Sequence, residues 1–318
     1  MYVQSKDLMV ANLVVIDPLP SNGRRLVREP ALRVEPHRRR HHGNNGTIDR
    51  QGASWWSSTS QVSLLNTDVI NPDSCSQVRI EDCYVVSGDD YVAIKSGWDE
   101  YGIAVGMPSE HIVVRRLTYV SPTSTVIALG SEMSGGIRDV RAEDITAIRT
   151  ESAVRIKTAV GRGAYVRDVY ARRMRLDGMK RVFWMTGDYK SHPDDGYDKT
   201  AVPVVENISY QDVVATGVWK EAARMQGIQG APFKGICMAN VTAEMTKERK
   251  VSWNCADVEG VSAGVTPAPC APLQGTHAGS CPFPTDTLAV DQIAVQQCSY
   301  SITIPATTSV AADCRTAA

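Results

Sequence analysis

The chain has 318 residues, 43% of them hydrophobic and 22% charged, which is the balance of a folded globular protein with a sizeable core and not of a disordered one. A net charge of -1 excludes a globally basic nucleic-acid binder, and no run reaches the roughly 18–20 apolar residues of a membrane span. Aromatic residues make up only 6%, with 3 Phe, while Val and Ile abound, a bias toward strands packed in tight layers.

At the N-terminus, Met1–Asn22 lacks a basic segment followed by an apolar stretch and a small-residue cleavage site, so no secretory signal is visible. The next stretch, Val27–His42, contains the basic tract His37-Arg38-Arg39-Arg40-His41-His42. From Val78 onward short strand-like runs recur. They begin at Val78, Ile112, Val140, Val169, Ile208 and Ile236, 28 to 39 residues apart. A second run is expected 14 residues after each of the first five, at Val92, Val126, Val154, Phe183 and Ala222. One corner of constant length and a return loop that varies describe an all-β, single-stranded right-handed parallel β-helix, with coils stacked about 4.8 Å apart. Glu143–Arg149 and Lys220–Met225 are too short to argue for helices.

Acids gather at one level of this stack. Asn66-Thr67-Asp68 precedes Gly88-Asp89-Asp90, and 21 residues separate Asp68 from Asp89, about one tight coil. Neighbouring rungs would then present Asp68, Asp89 and Asp90 on one face. Such a group suits glycosidic hydrolysis, in which one carboxyl protonates the leaving oxygen and others activate water. Asp89 and Asp90 cannot both face a cleft from a regular strand, so a corner at Gly88 is required. Two coils further on, Val154 and Ile156 should point inward and Arg155 and Lys157 outward, with Lys95 at the place equivalent to Lys157. These cations suit a polyanionic sugar acid. Tyr91 shares the outward parity of Lys95 and is expected to line or obstruct the cleft.

In this order and spacing, Asn66-Thr67-Asp68, Gly88-Asp89-Asp90 and Arg155-Ile156-Lys157 resemble the signature of the polygalacturonases, glycoside hydrolase family 28. The plant branch is resembled from Asn66 to about Cys270, including Ser96–Gly102, Ala128–Met133 and Phe183–Gly187. The resemblance implies a pectin lyase-like solenoid that hydrolyses α-1,4-galacturonan or a related pectic polysaccharide with inversion, without metal or other cofactor. Asp89 would be the general acid, Asp68 and Asp90 would position and activate water, and Arg155, Lys157 and Lys95 would bind the substrate carboxylate. A secreted, cell-wall monomer with no nucleic-acid or membrane partner is expected.

Departures from the family pattern accompany the match. Ser124-Thr125-Val126 stands where a Gly-His-Gly is usual, Val69 and Asn71 replace Gly and Asp, and Tyr91 replaces Cys. Val69 is expected to strain a position that favours Gly. Gly46–Trp56 resembles an early family segment, yet only nine residues, Ser57–Leu65, separate it from Asn66. Coils therefore look to be missing, leaving residues 1–56 a remnant of the cap and first coils, 57–270 the β-helix, and 271–318 a Thr/Ala/Pro-rich extension. Loss of coils should leave an unpaired strand edge beside Asp68. The alternative to an active hydrolase is thus an impaired paralogue that binds wall polysaccharide without turnover. Eight cysteines and sequons at Asn45, Asn207 and Asn240 fit an oxidising compartment, though no disulfide pairing follows from spacing. The loop Ser191–Tyr197 reads as a solvated insertion or a wall of the cleft.

Overall fold

The computed structural model describes residues 68–294, apart from Lys190, 248–251 and 276–278, and the backbone of short strands at 2–3, 6–11, 13–16, 33–34 and 46–48. Asn66, Thr67, the basic tract, Ser57–Leu65, Asn45, Cys298 and Cys314 lie outside the described residues.

Every strand pairing within the two large sheets is parallel, and each coil places one strand in each sheet. The longer sheet contains Ser109–Val120, Ile137–Ile148, Tyr165–Asp177, Val204–Val218, Phe233–Met245 and Val258–Thr266. The shorter one contains Val92–Ile94, Thr125–Leu129, Ser152–Lys157, Phe183–Thr186, Ala223–Gln226 and Trp253–Ala256. The six foreseen run starts, Val78, Ile112, Val140, Val169, Ile208 and Ile236, stand in mutual register. The protein is thus a right-handed parallel β-helix.

Its core follows from alternation within each strand. Val78, Ile112, Val140, Val169, Ile208 and Ile236 form one buried inward column, and Val92, Ile127, Val154, Phe183 and Ala223 face it from the other sheet. Tyr91 on Tyr119 (5.4 Å) and Phe183 on Tyr210 (4.1 Å) are stacked pairs inside, bulk that stiff rings supply at low entropy cost. The constant offset of 14 fails twice. Ile127 and Ala223, not Val126 and Ala222, pair with Val154 and Phe183. In the first case one extra residue sits in the corner 121–124, and in the second the register shifts between Ala215 and Val218.

Each long strand is interrupted by a residue with positive φ, at Arg116, Asp144, Arg173, Asp212 and Asn240 on successive coils. Arginines are costly in that conformation, and each is tied to an acid one coil earlier. Arg116 Nε donates to Asp82 (2.6 Å) and Arg173 Nε to Asp144 (2.7 Å).

Helix α1, Asp99–Val105, was not foreseen. It leads with Asp99, which is fully buried, pairs with Arg162 and accepts a hydrogen bond at Oδ2 from His192 Nδ1 at 2.6 Å. Tyr101 donates to Asp194 (2.8 Å) and Tyr197 stacks on His192 at 3.6 Å. The loop Ser191–Tyr197 is solvated as expected, with only His192 and Tyr197 partly covered, and is anchored to α1 through these contacts. At the other end, disulfides join Cys237 to Cys281 and Cys255 to Cys270. Arg79 donates to the carbonyls of Val290 (2.8 Å), Asp291 (2.9 Å) and Ile293 (2.7 Å), while Val290 and Leu288 pack on Val113. This straps residues 281–293 along the flank.

The expected open edge next to the Asp68 coil is paired. Residues 6–11 lie parallel to Ser76–Glu81, 13–16 to Tyr84–Val86, and 2–3 to Asn71–Pro72.

Candidate active site

The segment after Asp68 runs parallel to the one after Asp90. The amides of Val69 and Ile70 donate to the carbonyls of Asp90 and Tyr91 (2.9 Å each), and bridges link Ile70 to Val92 and Asp73 to Lys95. Val69 is buried and is not among the residues of positive φ, so it bears no such strain. Asp68 is thereby held opposite Asp90, one rung away.

Ser87–Tyr91 is a bend and not a strand, which frees both acids to face one way. Oxygens of Asp68, Asp89 and Asp90 all lie within 4.8 Å of one another. The bend is braced from inside: the Tyr119 hydroxyl donates to the Asp89 carbonyl, Thr123 Oγ1 to the Gly88 carbonyl (2.6 Å), and the Asp90 amide to Asp89 Oδ1 (2.8 Å). Tyr91 points inward and is fully buried. Its assignment to the cleft is wrong because alternation holds only within a strand, and Tyr91 lies in the bend before Val92–Ile94.

The three carboxyls are differently poised. Asp90 is fully buried and binds the Lys157 ammonium, the Ser124 hydroxyl and the Thr125 amide (3.1 Å). Burial alone would raise its pKa, but Lys157 and these donors outweigh burial and hold it below the usual carboxylate value. Among the described residues no cation lies within ion-pair distance of Asp89. Burial first, then the charges of Asp68 and Asp90, push it up to about 6. Asp68 is raised, chiefly by burial, against the pull of Lys95 at 3.3 Å.

Lys95 also binds Glu132 (3.1 Å). Both lysines foreseen for the substrate are thus engaged with acids of the site. Arg155 stacks 3.5 Å above Trp184 and lies 3.7 Å from Glu151. Asp73 is not in the cluster: its Oδ1 accepts from the Gly97 amide and Ser74 hydroxyl (3.1 Å each). Sequence reasoning missed Ser124, Glu132, Trp184 and Glu151 as parts of the site. In the sequence Ser124 stands out only as a replacement for Gly, yet its hydroxyl reaches both Asp89 (3.1 Å) and Asp90. By distance the three aspartates could ligate a divalent cation, but the ammonium groups of Lys157 and Lys95 already neutralise two of them.

A carboxyl that keeps its proton near pH 6, facing two others in a partly buried niche, carries what acid-assisted cleavage of a glycosidic bond requires. A parallel β-helix bearing this niche on its short-strand sheet defines the class. The chain matches the glycosyl hydrolases family 28 over residues 57–270 and belongs to that family. It is 50% identical over 316 aligned residues to a probable polygalacturonase of Vitis vinifera, covering 82% of this chain and 64% of the relative. It is 29% identical over 154 residues to a probable exopolygalacturonase C of Aspergillus oryzae, covering 46% and 32%. The chain spans less than two thirds of the length of these relatives. A crystal structure of a hyperthermoactive exopolygalacturonase from Thermotoga maritima superposes with a TM-score of 0.53 at 30% identity, covering 63% of this chain and 44% of that one. A family 28 exopolygalacturonase from Yersinia enterocolitica gives 0.57 at 17% identity over 69% and 40%, a likeness of fold alone.

Proposed function

We propose that the protein hydrolyses glycosidic bonds of α-1,4-galacturonan or a related pectic polysaccharide, acting outside the cell as a monomer. The observation that carries this reading is the contrast within one niche: Asp89 pushed up to about 6 beside Asp90 held below its usual value. Asp89 donates its proton to the leaving glycosidic oxygen. Asp68 and Asp90 position the attacking water, and its proton passes to Asp68, the less buried of the two and the one whose pKa is raised. Arg155 offers a guanidinium to a substrate carboxylate, held in place by its stack on Trp184. Lys95 and Lys157 act first on the acids and through them on the substrate.

The carboxylate oxygens lie closer, within 4.8 Å, than the roughly 6.5–9.5 Å between carboxyl groups of many inverting enzymes. Asp90 is nevertheless a poor nucleophile, being fully buried with its oxygens engaged by Lys157, Ser124 and Thr125. Attack by water, with inversion, is the reading that burial favours. Among the described residues no helix is long and apolar enough to cross a membrane.

The test is release of reducing ends from polygalacturonic acid by the full chain and by Asp89→Asn, with proton NMR of the first product's anomer. Loss of about 10²-fold or more in the variant is expected. Equal rates in both, or binding of the polymer without any turnover by the parent, would sink the reading.

A further inference from the structure

The corner that bears Asp89 and Asp90 recurs on each later coil, and its chemistry changes along the stack. Backbone hydrogen bonds connect Ser124 to Glu151, Glu151 to Arg181 and Lys180 to Glu221 in succession. The corner thus passes from Asp89-Asp90 through Ser124 and Glu151 to Lys180-Arg181 and then Lys220-Glu221. The outward column of the short-strand sheet changes in parallel. Ala93 and Ala128 leave the floor low beside the acids, and Arg155, Trp184 and Arg224 follow on the next three coils.

The far end is one connected cluster. Arg155 and Arg181 lie over Trp184 at 3.5 Å and 4.1 Å. Arg181 Nε donates to Glu221 (2.8 Å), as does Arg224 Nε (2.9 Å). Lys180 binds Glu151 and lies 6.0 Å from the ring centre of Trp219, which is 47% exposed. Arg181 is buried, so its role is to hold Trp184 and Glu221 in place. Lys220 is exposed and has no acid within ion-pair distance among the described residues. The charge of Arg181 first, then partial burial and the charges of Lys180 and Arg224, lower its pKa against the opposing charge of Glu221, as expected where cations outnumber carboxylates. Among the described residues, the carboxylates within ion-pair distance of Lys180, Arg181 and Arg224 are those of Glu151 and Glu221.

We propose that the cleft continues past Arg155 into a cationic subsite formed by Lys180, Lys220 and Arg224 with Trp219 as its wall, which binds carboxylates of a polyuronide chain several sugars away from the bond being cleaved. At a coil spacing of about 4.8 Å, Lys180 stands three rungs and Lys220 four rungs from Asp90, roughly 14 and 19 Å along the axis. A dimer seated at Asp89 cannot reach both, whereas a longer chain can. Trp219 offers its exposed ring to a sugar face and the cations take the carboxylates. This inference rests on the pectinolytic reading above and gives it a length preference.

The experiment titrates the full chain carrying Asp89→Asn, so that oligomers stay intact, with a galacturonate dimer and a galacturonate pentamer by calorimetry. The same titrations follow in the background of Lys220→Gln with Arg224→Gln, and of the exposed Lys220→Gln alone. Pentamer affinity is expected to exceed dimer affinity in the first protein. The double substitution should weaken pentamer binding about tenfold and shrink the pentamer-to-dimer ratio, with a smaller loss in the single one. A pentamer that binds with the same ratio in all three proteins overturns the subsite and leaves the hydrolase reading intact. Absence of binding by either oligomer, together with no turnover by the parent, overturns both.

Discussion

Lys157→Met probes the pairing that sets the two adjacent aspartates apart. The Asp90 carboxylate is 1% exposed and the Lys157 side chain 12%, so the substitution leaves a buried charge with only the Ser124 hydroxyl and the Thr125 amide. Removing one partner of a buried pair costs about 3–5 kcal/mol, which for a domain of this size lowers the melting temperature by about 10 °C. The penalty should depend on pH with a definite sign. In the parent the Asp90 pKa is depressed, so its contribution to stability is present above the unfolded value of 3.8 and is lost as pH falls through the lower folded value. Without Lys157, burial dominates and the Asp90 pKa rises above 3.8. Its protonated form then fits the folded state, and stability is lost as pH rises through the raised value. Melting curves of parent and Lys157→Met near pH 4 and pH 7 should therefore converge at the acid end and separate at the neutral end. A difference in melting temperature that is constant across this range, or larger at the acid end, would refute the account of Asp90 as an anion kept charged by Lys157.

Other outcomes follow from the same geometry. With Asp89 at about 6 and active only when protonated, kcat/KM should fall as pH rises through that value, whereas a flat profile to pH 8 would exclude Asp89 as the acid. Ser124→Ala removes a donor shared by Asp89 and Asp90 and should lower kcat about tenfold, the effect of roughly 1.4 kcal/mol, with little change in melting temperature; an unchanged kcat refutes it. Arg79→Met deprives three carbonyls of the 290–293 segment of their donor, so limited proteolysis should cut first in the 281–293 strap, and an unchanged cleavage pattern would show that the disulfide at Cys281 suffices.

The repeat was legible because β-helix coils are locked by apolar columns that the sequence must supply. Val78, Ile112, Val140, Val169, Ile208 and Ile236 had to face inward, and they do. Corners impose no such pattern. An extra residue among 121–124 costs little in buried surface and leaves no trace in the apolar pattern, so a fixed offset of 14 points to Val126 where Ile127 holds the place. The same lack of pattern misled the parity count at Tyr91. The acid cluster was legible from Gly88 and the interval between Asp68 and Asp89. What held it was not: the pairings of Lys95 with Glu132 and of Ser124 with both acids span 37 and 34 or 35 residues, and only the stacking of coils brings them together. Helix α1 was hidden because it is short, has no apolar period and leads with a buried aspartate whose partner is Arg162.

The pairing on the N-terminal side of Asp68 bears directly on whether the niche can hold its shape. Carboxyls raised by burial, as Asp68 and Asp89 are, keep that property only if the rung beneath them stays closed to water. A sheet edge would fray on the timescale of local opening and solvate them. The register of Tyr2 with Asn71, Leu8 with Val78 and Val14 with Tyr84 places backbone on the outer side of that rung, and the register of Ile112 with Val78 closes the inner side. The coil that begins at Asp68 is thus paired on its outer side at 71–72, 76–81 and 84–86. At those positions the expected unpaired edge is absent among the described residues, and the departures that remain to be weighed are those at the niche itself, Ser124 above all.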